Sequence, residues 1–127
     1  KPYVVDHVEG ADGTTVKETI PEIYADLMSE KDAKKLQKML REVVTSGTGY
    51  NLDTDLYTAA GKTGTAEIKQ SQTDTKGTEI GWFVTIMPAT NNREALELVS
   101  MTEDVKKRGG SGYVVNKTKK ILEEYLQ

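Results

Sequence analysis

The stretch Ile80-Gly81-Trp82-Phe83-Val84-Thr85-Ile86-Met87 is apolar on both alternating faces, and nothing else constrains the fold of this chain so strongly. A strand of that kind has to be covered on both sides, which places it inside a sheet with layers packed around it. Pro88 cannot donate to a ladder and ends the strand, and Asn91-Asn92 marks a turn. Ala95 to Met101 then reads as the next strand. Upstream, Leu56 to Ile68 reads as a strand and the polar stretch from Gln70 to Glu79, with Gly77 in it, as a loop. Connections this short make the three strands an antiparallel meander.

Helical signals flank the meander. Ser29 is placed as an N-cap with Asp32 at the capping-box position. Ala33, Leu36, Leu40, Val43 and Val44 follow with helical spacing. Gly47 and Gly49 stop that helix, and Ser46-Gly47-Thr48-Gly49 reads as its C-terminal cap and turn. After the meander, Lys106 to Gly112 is a basic, glycine-rich break. Ser111 is placed as the cap of a last helix in which Val114, Thr118, Ile121, Leu122 and Tyr125 share one face. At the start, Tyr3 to Val8 and Thr14 to Lys17 form a hairpin around the turn-rich Glu9 to Gly13. The expected class is α+β: an antiparallel sheet with flanking helices, the C-terminal one packed back on the sheet. A length of 127 residues suffices for one core, so residues 1–127 read as one domain. The opening Lys1-Pro2-Tyr3, without methionine, reads as a piece of something longer.

Composition removes several kinds of function. Seventeen basic residues face 20 acidic ones, a net charge of −3 with no continuous basic run, so no nucleic-acid surface is expected. There is no cysteine and His7 is the lone histidine, so a transition metal would have to rely on carboxylates. His7 lies in an alternating strand and reads as solvent-facing. The acidic residues Glu30, Asp32, Glu42, Glu123 and Glu124 sit among lysines on helices, as on solvated faces. Neither a metal nor a cofactor is expected. No apolar run approaches the roughly 20 residues of a spanning helix, and no secretory signal opens the chain.

One segment is poorly matched to its own strand. Ala59-Ala60-Gly61-Lys62-Thr63-Gly64-Thr65-Ala66-Glu67 carries lysine and glycine, both weak strand formers. Glycine lets a ligand or another backbone approach, while Lys62, Thr63 and Thr65 offer a cation and two hydroxyls beside it. The combination suits an anionic, carbonyl-bearing ligand laid along a strand edge. A phosphate-binding loop is excluded: its first glycine would fall at Leu56, and its lysine would have to open a helix.

Lys62-Thr63-Gly64 is also one of three elements of the penicillin-recognising serine enzymes, beside Ser-x-x-Lys and Ser-x-Asn. The match extends along the chain: Val43-Val44, Gly47-Thr48-Gly49, Ala60 to Glu67, and Gly81-Trp82-Phe83. In that order these segments resemble the C-terminal stretch of penicillin-binding protein transpeptidase domains, class B above all. Glu67-Ile68-Lys69 and Glu103-Asp104-Val105 are similar to the low-affinity branch of that class. The resemblance implies a role for each motif residue. Lys62 would stand opposite the Ser-x-Asn serine and set the electrostatics of proton transfer. Thr63 and Thr65 would hydrogen-bond the carboxylate of a β-lactam or acyl-donor peptide. The Thr65 amide would serve the oxyanion hole, and Gly64 would keep the strand bare for the substrate. It further implies peptidoglycan stem peptides and β-lactams as ligands, and a membrane-anchored parent with this portion outside the bacterial cytoplasm.

The partners of these residues are absent from the sequence. Ser29, Ser46, Ser71, Ser100 and Ser111 are followed three residues on by Asp32, Gly49, Asp74, Glu103 and Val114, never by lysine, and none has asparagine two places on. Thr14 to Lys17 and Thr73 to Lys76 have the spacing with threonine, and both read as chance. Without nucleophile and base the strand is a binding edge only, so the isolated chain is expected not to acylate. A sheet lacking neighbouring strands also leaves an edge open to self-association. Two other readings fit the motif: a non-catalytic penicillin-binding-like module whose edge binds peptide or protein, and a serine β-lactamase fragment. Trp82 beside Gly81 reads as core rather than as a substrate-stacking residue, and Thr48 as a turn residue ahead of one near the site of the full enzyme.

Overall fold

The meander forms as the apolar pattern requires. In the computed structural model, which describes residues 2–126, strands β3 (Ala60–Ile68), β4 (Thr78–Met87) and β5 (Leu96–Thr102) lie in the order β3-β4-β5, antiparallel throughout. They follow a hairpin of β1 (His7–Glu9) and β2 (Thr15–Glu18), helix α1 (Glu30–Thr45) and a short 3-10 turn, Tyr50–Leu52; helix α2 (Ser111–Tyr125) closes the chain. The chain forms two compact units, one ending at Ala33 and the other beginning at Lys34. Every buried hydrophobic residue belongs to the second, from Val44 to Leu122.

In the first unit the expected hairpin forms and pairs His7 with Glu18 and Val8 with Lys17. Its first strand is shorter than the expected Tyr3 to Val8 and takes Glu9 from the turn, and its second is Thr15–Glu18 rather than Thr14 to Lys17. Its turn uses Gly13 at φ 78°, a conformation that favours glycine. His7 is solvent-facing, held between Asp6 at 3.0 Å and Glu9 at 3.2 Å. The hydrogen bond to Asp6, then that to Glu9, holds its pKa above the ordinary histidine value.

In helix α1, Ser29 is the N-cap: its Oγ accepts the Asp32 amide at 3.2 Å and donates to the Asp32 carboxylate at 2.7 Å. The stripe reaches the core at its C-terminal end alone. Val44 is fully buried, Leu40 and Val43 are half-buried, and Ala33 and Leu36 are exposed. The helix is fastened there by Arg41, whose guanidinium donates to the Ala59 carbonyl at 2.8 Å and pairs with Asp53 at 2.7 Å. Gly47 does end the helix, through space rather than through a left-handed backbone. A Cβ on it would lie 2.9 Å from the Val43 backbone.

The core lies between one sheet face and α2. On β4 that face presents Gly81, Phe83, Thr85 and Met87, all buried; on α2 it meets Val114, Val115, Thr118 and Leu122. Here the expected helix face is corrected, since Ile121 and Tyr125 are exposed and Val115 is buried. Gly81 accounts for the orientation. Val114 Cγ2 sits 2.7 Å from where a Gly81 Cβ would be, with Val105 at 3.1 Å, so the helix closes on the sheet at the missing side chain. The helix cap is corrected as well. Gly110, at φ 62°, is the N-cap and Ser111 the first helical residue. The other face of β4 is incompletely covered, against expectation: Trp82 is 38% exposed, and its cross-strand neighbour Met101 is exposed too. Trp82 is therefore a surface residue, and the aromatic residues of the core are Phe83 and Tyr57.

Candidate active-site strand

Strand β3 begins at Ala60, four residues later than its sequence indicated, and pairs along its length with β4. On the other side it has no strand neighbour among the described residues. Alternation sends Lys62 and Gly64 to the face shared with Trp82, and Thr63 and Thr65 to the face shared with Phe83. Lys62 and Thr65 are exposed, Gly64 is half-buried and Thr63 is buried. The motif is thus split between two sheet faces and meets only at the strand's backbone.

The two glycines of the motif have different reasons. A Cβ on Gly61 would lie 2.5 Å from the Val84 carbonyl oxygen and 2.8 Å from the Phe83 ring, so packing requires glycine there. A Cβ on Gly64 would meet only the Cβ of Trp82, at an ordinary 3.4 Å. The fold leaves room for a side chain at Gly64, and the bare backbone there has no internal cause. Lys62 is equally free of structural duty. Its ammonium turns back to the Thr63 carbonyl at 2.7 Å, and among the described residues it enters no ion pair. Thr63 and Thr65 share strand parity, so the Thr65 amide stands on the same edge as that carbonyl.

Thr63 is joined to Thr48, a residue expected first as part of a turn. Its hydroxyl lies 2.7 Å from the hydroxyl of Thr48. The Thr48 turn is rigidly placed: Gly49 donates to the Val43 carbonyl at 2.8 Å, and a Cβ on Gly49 would touch the Phe83 ring at 3.4 Å. Phe83 pairs with Thr63 in the ladder. One aromatic ring therefore sets the position of both hydroxyls.

The β3–β4 loop is polar and exposed, as expected, but it is ordered by specific bonds. Asp74 accepts the backbone amides of Gln70 at 3.1 Å and Lys76 at 2.8 Å. The Lys106 ammonium reaches across to the Gly77 carbonyl at 2.9 Å and that of Thr75 at 3.2 Å. Glu67 and Lys69 pair at the end of β3. Those backbone bonds, from Gln70 first and then Lys76, hold the Asp74 carboxyl below the ordinary aspartate value, with Lys106 adding to the effect. A carboxyl lowered in the folded state stabilises above its unfolded value, and that contribution is lost as pH falls through the lowered one. In an acid titration followed by NMR, the Gln70 and Lys76 amide shifts should therefore move together, with a midpoint below that of an exposed aspartate. Asp74→Asn should abolish that transition. A midpoint above the ordinary value would contradict the bonding described.

Among the described residues no cluster of histidine and carboxylates suits a metal ion, and no helix is long and apolar enough to cross a membrane. Arg41 and Lys106 carry no functional signal in the sequence, and Thr48 reads there as a turn residue ahead of a site residue. The Gly47-Thr48-Gly49 motif was the one available signal for Thr48, and nothing local marked the other two.

With the geometry in place, comparison with known proteins gives one answer. The model of the penicillin-binding protein transpeptidase domain matches residues 1–123. Penicillin-binding protein 3 of Bacillus subtilis is 40% identical over 99 residues, 76% of this chain and 14% of the relative. The peptidoglycan D,D-transpeptidase MrdA of Acinetobacter baumannii is 35% identical over 68 residues, 54% of this chain and 10% of the relative. In structure, the D,D-transpeptidase domain of an Eggerthella lenta peptidoglycan glycosyltransferase superposes with a TM-score of 0.75 and 29% identity, over 98% of this chain and 27% of that one. The chain belongs to the penicillin-binding protein transpeptidase family. It spans only about 14% of the length of the Bacillus relative.

Proposed function

We propose that residues 1–127 are the C-terminal portion of a peptidoglycan D,D-transpeptidase domain and supply its Lys-Thr-Gly-Thr wall. In this reading a serine outside the chain attacks the acyl-donor carbonyl and forms an acyl-enzyme, which a second stem peptide resolves. Lys62 faces that serine's neighbourhood and favours the charge distribution of proton transfer. The Thr65 amide stabilises the developing oxyanion, placed in advance of the reaction. The Thr65 and Thr63 hydroxyls hold the carboxylate of stem peptide or β-lactam, and Gly64 leaves room for the ligand to lie along the strand. The parent protein is anchored in the membrane with this portion outside the bacterial cytoplasm.

The observation that carries the reading is the contrast within the motif. Packing explains Gly61 and leaves Gly64 and Lys62, on an edge strand, without a structural reason. Membership of the family supports a ligand role for both. The MrdA relative is named for the D,D-transpeptidase activity proposed. The proposal is tested by reading the parent gene upstream of Lys1. Ser-x-x-Lys followed by Ser-x-Asn is the expected finding; a complete gene without them would overturn the enzyme reading in favour of a binding module.

A further inference from the structure

The hydroxyl of Thr48 has a place in the site that a turn residue does not need. It is exposed, it lies three residues beyond the end of α1, and it reaches a residue 15 positions away across the fold. Thr63 is 9% exposed, so little of its surface is open to a ligand, and the direction in which its hydroxyl proton points matters accordingly. A hydroxyl has one proton and two acceptor positions. If Thr63 donates to Thr48, that proton is used inside the protein. If Thr48 donates to Thr63, the Thr63 proton is left for a third group.

We infer that Thr48 is a positioning residue for ligand recognition: it donates to the Thr63 hydroxyl, fixes its rotamer, and turns the Thr63 proton outward to an anionic ligand group. The inference rests on the function proposed above and deepens it by assigning carboxylate recognition to a hydroxyl pair. A carboxylate is an acceptor alone, so its approach selects the arrangement in which Thr63 donates outward and Thr48 donates to Thr63. The scaffold supports the pair from both sides. Gly49 ties the turn to the Val43 carbonyl at 2.8 Å and is buried where a Cβ would reach the Phe83 ring at 3.4 Å, and Phe83 is the ladder partner of Thr63. The turn that carries Thr48 and the strand that carries Thr63 thus flank the same core side chain, with their hydroxyls 2.7 Å apart.

Two measurements test this, and they separate it from the reading it rests on. The first uses the full 127-residue chain and needs no activity. Three-bond couplings of Thr63 should report one χ1 rotamer in the native chain, averaged rotamers in Thr48→Val, and one again in Thr48→Ser. An unchanged Thr63 rotamer in Thr48→Val would overturn the inference, whether or not the parent is an enzyme. The second uses the parent protein, with acylation by a β-lactam as readout. Thr48→Val should raise the half-saturating concentration about tenfold, the scale of one lost hydrogen bond, with the limiting acylation rate unchanged. Thr48→Ser should restore it, and Thr48→Val combined with Thr63→Val should be no worse than Thr63→Val alone. Native affinity in Thr48→Val would overturn the inference and leave the transpeptidase reading standing. A parent never acylated would overturn that reading and the ligand role of Thr48 with it.

Discussion

Phe83→Ala is expected to destabilise the unit that carries the sheet by about 3–5 kcal/mol, the range for emptying a buried aromatic site. The ring is fully buried, and it occupies the space that both Gly49 and Gly61 leave open. Two backbone segments are shaped around it, so neither collapses easily into the void. A domain of this size has about 5–15 kcal/mol in total, and losing about a fifth or more of that is a large effect. Urea unfolding should show a lower midpoint with an unchanged slope, as for a change in stability alone. Phe83→Leu, which keeps much of the volume, should cost clearly less. A loss under about 1 kcal/mol for the alanine variant would mean that the ring does not organise the core as described. Because Phe83 stands behind both Thr48 and Thr63, its loss should disturb the motif strand together with the fold.

Lys62→Ala should behave in the opposite way. The side chain is exposed and its one hydrogen bond returns to its own strand at the Thr63 carbonyl. Removal should leave stability within about 0.5 kcal/mol of the native chain. In the parent protein the same change should slow β-lactam acylation by about 10²–10³-fold, comparable to removing one preorganised electrostatic partner from a transition state. Lys62→Arg should recover part of the rate, because the charge survives while its compact geometry does not. Acylation at the native rate in Lys62→Ala would remove the lysine from the mechanism. A large stability loss would instead assign it to the fold.

Much of the architecture was legible in the sequence because it rests on short-range rules. The apolar run of β4, Pro88 and Asn91-Asn92 produced the meander, and Ser29 with Asp32 produced the start of α1. The errors fall where a distant group decides. The strand before Gly61 starts late, and the Ala59 carbonyl just ahead of it is taken by Arg41, a residue on another element. The buried face of α2 turns toward Val115 because Gly81, on the sheet, lets Val114 come close. Trp82 is exposed because the face it shares with Met101 is left incompletely covered among the described residues. The candidate site divides the same way. Lys62, Thr63, Gly64 and Thr65 form a contiguous motif, legible in the sequence itself. The Thr48 hydroxyl joins them only when the turn after α1 is docked on Phe83, a contact that no spacing rule announces.

In the proposed function this chain holds a substrate-binding and oxyanion wall, and the nucleophile lies in sequence outside it. The most direct test treats the isolated chain and the parent protein with the same labelled penicillin and locates the adduct by mass spectrometry. The expected result is no penicilloyl adduct on any of the 127 residues in either sample, and one adduct on a serine elsewhere in the parent. A penicilloyl group on a residue between Lys1 and Gln127 would contradict it.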